Sequence, residues 1–141
     1  MLEIKGTTQS PYHCSVGLVI IEKDKVLFLQ KKDRSFTLPR ETIRLDESIK
    51  DALSRGAQEE LGLIIEIEGF LGSLVSFFIR DRKKIEKTTL YFRCKIIDQT
   101  SRSPELDEKD DIILWQDLQV VEKKLSDCNN EEFKVLKRIN F

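Results

Sequence analysis

Leu38 to Leu63 reads LPRETIRLDESIKDALSRGAQEELGL, and the spacing of its charged residues governs the reading of the whole chain. Wound as a helix at about 100° per residue, Ser48 to Leu61 gathers Ile49, Ala52, Leu53, Ala57 and Leu61 on one apolar arc. Glu60 falls inside that arc. An unpaired carboxylate withdrawn from water is costly or takes up a proton, so this position needs compensation. A cation is the simplest source: Glu59 is adjacent, Arg55 lies one turn earlier, and a hard divalent ion such as magnesium favours carboxylate oxygens. The alternative is an ordinary surface helix with an Arg55–Glu59 pair at i,i+4, which contributes a few tenths of a kcal/mol.

The flanks bound this helix. Asp46, Glu47 and Ser48 suit an N-terminus, where acidic groups and a short hydroxyl side chain satisfy exposed amides. Gly62 suits the end, as a left-handed C-cap. The preceding segment, Pro39 to Leu45, reads as a loop leading from a strand into the helix.

Glu47, Arg55, Glu59, Glu60, Gly62 and Leu63 fall in register with the Nudix box: Gly, five residues, Glu, seven residues, Arg-Glu, aliphatic, any, Glu-Glu, any, Gly, aliphatic. Ala57 stands at the first aliphatic position, and Phe36-Thr37-Leu38-Pro39 is similar to the aromatic-x-Leu-Pro that often leads into the box. So long a match at fixed gaps is specific. The resemblance implies an α/β (α+β) fold, a Nudix-like α/β/α sandwich with a mixed β-sheet. It implies a catalytic set of Glu59, Glu60, Arg55 and Glu47, with Mg2+ (or Mn2+) held by Glu59 and Glu60. The substrate class it implies is a nucleoside diphosphate linked to another group.

Two positions depart from the pattern. Glu41 stands where the first Gly belongs, and Gly56 stands where the Glu after Arg belongs. In the family that Glu belongs to the metal and base cluster, and the backbone carbonyl of the first Gly often joins it. Gly56 also costs roughly 1 kcal/mol relative to alanine in mid-helix, so helix stability does not explain it. The reciprocity suggests that Glu41 reaches into the space opened at Gly56 and restores a carboxylate to the metal site. The competing reading is a Nudix-like module that binds a nucleotide or a protein partner without cleaving it.

Outside the box the signals are weaker. Arg34 is a phosphate candidate by position, and Phe36, Phe77, Phe78 and Tyr91 are candidates to stack a base, although aromatics at strand spacing usually pack in a core. The run Arg80-Asp81-Arg82-Lys83-Lys84 reads as a solvated hairpin tip with a lesser claim on substrate phosphates. In the family a further carboxylate often comes from the region matching the acidic Glu105–Asp111 loop, which makes Glu108, Asp110 and Asp111 candidates. Strands are expected at His13–Glu22 and Lys25–Lys31, a hairpin turning at Lys23-Asp24, and at Ile64–Glu68, Leu71–Ile79, Thr88–Ile97 and Ile112–Trp115. Helical stretches are expected at Leu118–Leu125 and Glu131–Ile139.

The chain of 141 residues is the size of one domain spanning 1–141, and 40% hydrophobic with 35% charged residues is ordinary for a folded globular protein. A net charge of −1 provides no field favouring nucleic acid or an anionic membrane. Apolar runs such as Val16–Ile21 are too short to span a bilayer, and MLEIKGTTQS lacks a signal-peptide core, so a cytoplasmic location is expected. Cys14, Cys94 and Cys128 give neither a disulfide framework nor zinc spacing. The lone His13 begins a strand and reads as a residue that packs or faces solvent rather than one that catalyses.

Overall fold

The computed structural model describes residues 6–106 and 108–139. β1 (Tyr12–Glu22) and β2 (Lys25–Gln30) form the expected hairpin, with Lys23 and Asp24 both at positive φ in its two-residue turn. Two positive-φ residues match the right-handed twist of the strands they join. β3 (Phe36–Thr37) and β4 (Arg40–Thr42) follow, then α1 (Ile49–Gly56) and a π-helical turn over Ala57–Leu61. β5 (Leu63–Arg80) and β6 (Lys83–Gln99) make a long hairpin, and β7 (Ile112–Asp117), α2 (Leu118–Asp127) and α3 (Phe133–Leu136) complete the chain.

The sheet runs β3-β2-β1-β6-β5, with β4 also on β1 and β7 on β2. β1 pairs with β6 in parallel and the other pairs are antiparallel, so the sheet is mixed. Strand alternation sends Val16, Leu18, Ile20, Leu27 and Leu29 to one face, where they pack with Ala52, Leu53, Ala57 and Leu61 of the box helix. Val19, Val26 and Phe28 face the other way, onto Leu118, Val121 and Leu125 of α2 and Val135 and Leu136 of α3. Helices on both faces of a mixed sheet give the α/β/α sandwich. No helix among the described residues is long and apolar enough to cross a membrane.

Several sequence expectations need correction. Pro39–Leu45 is not all loop: β4 pairs antiparallel with the middle of β1, setting Glu41 opposite Val16. The two strands expected within 64–79 are one, because β5 passes Gly69 and Gly72 through register shifts rather than ending there. The strand expected at Thr88–Ile97 likewise runs from Lys83, so only Asp81 and Arg82 form the tip. Parallel pairing of Tyr12–Ile20 with Glu86–Cys94 extends β6 across its charged start. The helix expected over Glu131–Ile139 is confined to Phe133–Leu136, and Ile49, placed on the buried arc, is 38% exposed at the first turn of α1.

Candidate active site

The site is organised around Arg55, near the end of α1. Its Nε and Nη2 donate to the two carboxylate oxygens of Glu47, each at 2.9 Å, and Nη2 also donates to the Thr42 carbonyl at 2.8 Å. Nη1 lies 2.9 Å from Glu41 Oε1 and 3.7 Å from Glu59 Oε2. Such a two-bond fork fixes the guanidinium plane far better than a single contact. The bonds from Arg55 hold the Glu47 carboxyl below its ordinary range, and Glu47 also accepts from the Arg44 amide at 3.0 Å. Ser48 caps the helix by accepting from the Asp51 amide.

Gly56 sits directly beneath Glu41. A Cβ on residue 56 would lie 2.8 Å from Glu41 Cβ, closer than folded side chains approach, and a tight 3.2 Å from its Cγ. The glutamate on β4 therefore occupies the volume that a side chain at 56 would need. Glu41 is 7% exposed, and its Oε2 is buried without a hydrogen-bond partner among the described residues. Burial, opposed by the hydrogen bond and charge of Arg55, pushes its carboxyl up to about 7.

After Gly56 the helix loosens into a π turn, a feature frequent at functional sites, and Gly62 ends it at φ 67°. The segment 100–103 then closes over the helix end. The Ser103 amide donates to the Glu59 carbonyl at 2.9 Å, Arg102 Nε to the Glu60 carbonyl at 2.7 Å, and the Thr100 amide to Gly62 at 2.8 Å. These bonds satisfy carbonyls that a helix C-terminus leaves open and deliver the following acidic loop to the site. As a result Glu41, Glu59 and Glu105 each bring a carboxylate oxygen to within 4.8 Å of the other two.

Glu60 points elsewhere. It is 2% exposed and lines a cavity of about 150 Å³ with Glu41, Glu108, Lys31, Arg40 and Lys87. Burial foremost, then the charge of Glu108, pushes its carboxyl up to about 9. Burial likewise pulls the Lys87 ammonium down to about 8, with Arg40 adding to the effect. Acidic and basic side chains thus line one small space. A second cavity of about 610 Å³ shares Lys31, Thr37 and Arg40 with it and continues past Phe36, Thr89 and Tyr91.

Of the other candidates, Phe36 lines this larger cavity, with its ring against Phe28 and beneath Lys124. Arg34 is in an exposed turn at φ 69° and lines neither cavity. Asp110 pairs with Lys32 at 2.9 Å, and buried Asp111 pairs with Lys31 at 2.7 Å. Phe77 is exposed under Lys84, Phe78 packs on His13, and Tyr91 is buried. His13 is buried, accepts from the Gly6 amide at 3.2 Å and packs edge-on against Phe78.

Sequence reasoning did not single out Glu105, Arg40, Lys87 or Glu132. Glu132 is 2% exposed, accepts from Thr37 Oγ1, the Leu38 amide and Asn130, and is bonded by the Tyr91 hydroxyl. Only an acidic loop following the box hinted at Glu105. Arg40 and Lys87 depend on sheet register, and Glu132 on the turn before α3 packing against Thr37, Leu38 and Tyr91.

The residues fit a divalent cation on three grounds: convergent carboxylates, an orphaned buried oxygen, and three glutamates set against one guanidinium. A model of the NUDIX domain matches residues 11–138, and the chain belongs to that family. No curated protein matches it by sequence. The fold is similar to that of a NUDIX hydrolase from Nitrosomonas europaea, with TM-score 0.71, 17% identity, and coverage of 89% of this chain and 86% of that one. It is also similar to a MutT protein from Methanosarcina mazei Go1, with TM-score 0.67, 20% identity and coverage of 94% and 97%. A C. elegans Ap4A hydrolase gives TM-score 0.64, 19% identity and coverage of 89% and 93%.

Proposed function

We propose that this chain is a magnesium- or manganese-dependent pyrophosphohydrolase that cuts a nucleoside diphosphate linked to another group. The observation that carries this reading is the small cavity lined by both Glu41, Glu60 and Glu108 and Lys31, Arg40 and Lys87. Carboxylates suit a cation and ammonium or guanidinium groups suit phosphates, so one space accepts both parts of a metal–diphosphate. Family membership supports the reaction class.

In this reading Glu59 holds the metal, while Glu60, which the box pattern assigns to the same ion, lines the adjoining small cavity instead. When bound, the ion neutralises phosphate charge and acidifies water for attack at phosphorus. Arg55 is a positioning residue that fixes Glu59, and Glu47 neutralises Arg55 and ties it to the helix start. Lys31 and Arg40, common to both cavities, hold the phosphates at the junction, and the larger cavity takes the linked group beside Phe36 and Tyr91. Three free thiols suit a reducing cytoplasm.

The departures at Glu41 and Gly56 favour a second reading, a module that binds a nucleotide without cleaving it. The purified chain is incubated with dinucleotide polyphosphates, nucleotide sugars and oxidised nucleoside triphosphates, with and without Mg2+ or Mn2+, and phosphate products are measured. Turnover that needs metal and falls about 100-fold or more in Glu59→Gln is expected. Saturable binding with no turnover across these substrates would overturn the hydrolase in favour of the module.

A further inference from the structure

We infer that the metal carboxylate missing from helix position 56 has been transposed to strand β4, and that Glu41, Glu59 and Glu105 form a divalent-cation site built from strand, helix and loop. This rests on the metal-dependent reading above and gives that site a ligand set the box pattern does not contain.

Four independent features carry it. The Glu41 side chain fills the space over Gly56, so its carboxylate approaches the box helix where a side chain at 56 would start. Its position is held by β4–β1 pairing, with Glu41 opposite Val16, and by Arg55 at 2.9 Å on Oε1. The second oxygen, Oε2, is buried over Gly56, 3.4 Å from where a Cβ there would lie, and has no hydrogen-bond partner among the described residues. A buried carboxylate oxygen left open is costly unless a ligand meets it. Glu59 and Glu105 each present an oxygen within 4.8 Å of the Glu41 ligand oxygen and of each other, a spacing one hard cation spans.

Charge points the same way. Arg55 is shared among Glu47, Glu41 and Glu59, so with Glu105 this place holds four carboxylates to one guanidinium. The bonds from 102 and 103 to the Glu60 and Glu59 carbonyls anchor the loop, so Glu105 is carried to the site by backbone rather than by chance side-chain reach.

The test is Mn2+ binding to the full chain, measured by electron paramagnetic resonance of free Mn2+ and by calorimetry, for the wild type, Glu41→Gln, Glu105→Gln and the double change Glu41→Gly with Gly56→Glu. Expected are a 10-fold or greater weakening in Glu41→Gln, a smaller loss in Glu105→Gln, and recovery to within a few-fold of wild type in the double variant. Glu41→Gln keeps the shape that packs on Gly56. Glu105 is exposed, so its variant remains informative should the Glu41 variants misfold. Unchanged Mn2+ affinity in a folded Glu41→Gln, unchanged affinity in Glu105→Gln, or no Mn2+ binding by the wild type would overturn the inference. Because the readout is metal occupancy, the two proposals separate: Glu41-dependent binding without turnover supports the site and removes the hydrolase, whereas metal-dependent turnover indifferent to Glu41 does the reverse.

Discussion

Glu41 and Gly56 make sense only as a pair. Glycine at a helix interior costs about 1 kcal/mol relative to alanine, yet here a Cβ would meet Glu41 Cβ at 2.8 Å. Both atoms are fixed to backbone, so relief needs the helix and β4 to move apart. Gly56→Ala is therefore expected to destabilise the fold by about 1–2 kcal/mol despite its better helix propensity, since overpacking outweighs the propensity gain. In a Glu41→Gly background the same change is expected to stabilise by up to about 1 kcal/mol. Urea denaturation of the four proteins checks the sign reversal, and a Gly56→Ala effect of the same sign in both backgrounds would refute the steric account.

At the level of elements, the box helix was largely legible because its signals are local. The Ser48 cap, the Glu47–Arg55 pair and the Gly62 terminus depend on neighbours within one or two turns. The switch to a π turn after Gly56 was not legible: the contacts around it, with β4 over Gly56 and 100–103 on the helix end, come from distant parts of the chain. The long β5–β6 hairpin was read as fragments for a similar reason. Glycines and charges look like strand breaks one at a time, while cross-strand pairing and bulges carry the ladder through them. Gly62 offers the test at this scale. A Cβ there would lie 2.7 Å from the Thr100 carbonyl oxygen in a left-handed conformation, so Gly62→Ala is expected to cost roughly 1–3 kcal/mol. Hydrogen exchange at the Thr100 and Ser103 amides should speed up with it, because both donate to the helix end. Protection unchanged at those amides would mean the loop is held from elsewhere.

For the molecule as a whole, the pH dependence of stability reports the buried acids. Glu41 and Glu60 titrate in the folded protein at about 7 and about 9, above the ordinary carboxyl value near 4.5, chiefly through burial. A folded-state value that is raised means the folded form binds the extra proton. The associated stability is complete below the unfolded value and is lost as pH climbs through the folded ones. Metal-free protein should therefore show a melting temperature that falls from about pH 5 to about pH 8, below the range where Lys87 brings an opposing trend. Millimolar Mg2+ should flatten that fall by meeting the ionised carboxylates. A metal-free melting temperature that rises over this interval would contradict the burial of these two acids. Glu132, Arg40 and Lys87 escaped sequence reading at this scale: each owes its place to strands and helices far apart in the chain, and a lone charged letter carries no trace of them.

The contact between Glu41 and Gly56 also constrains how such a box arises. Starting from glycine in the strand and glutamate in the helix, one change at a time leads through either two glutamates competing for a single volume or two glycines and a hole. Neither intermediate resembles its endpoints, so the two sites are epistatic. Comparison that weighs alignment columns separately will count two departures in this chain where the folded protein has one shared volume.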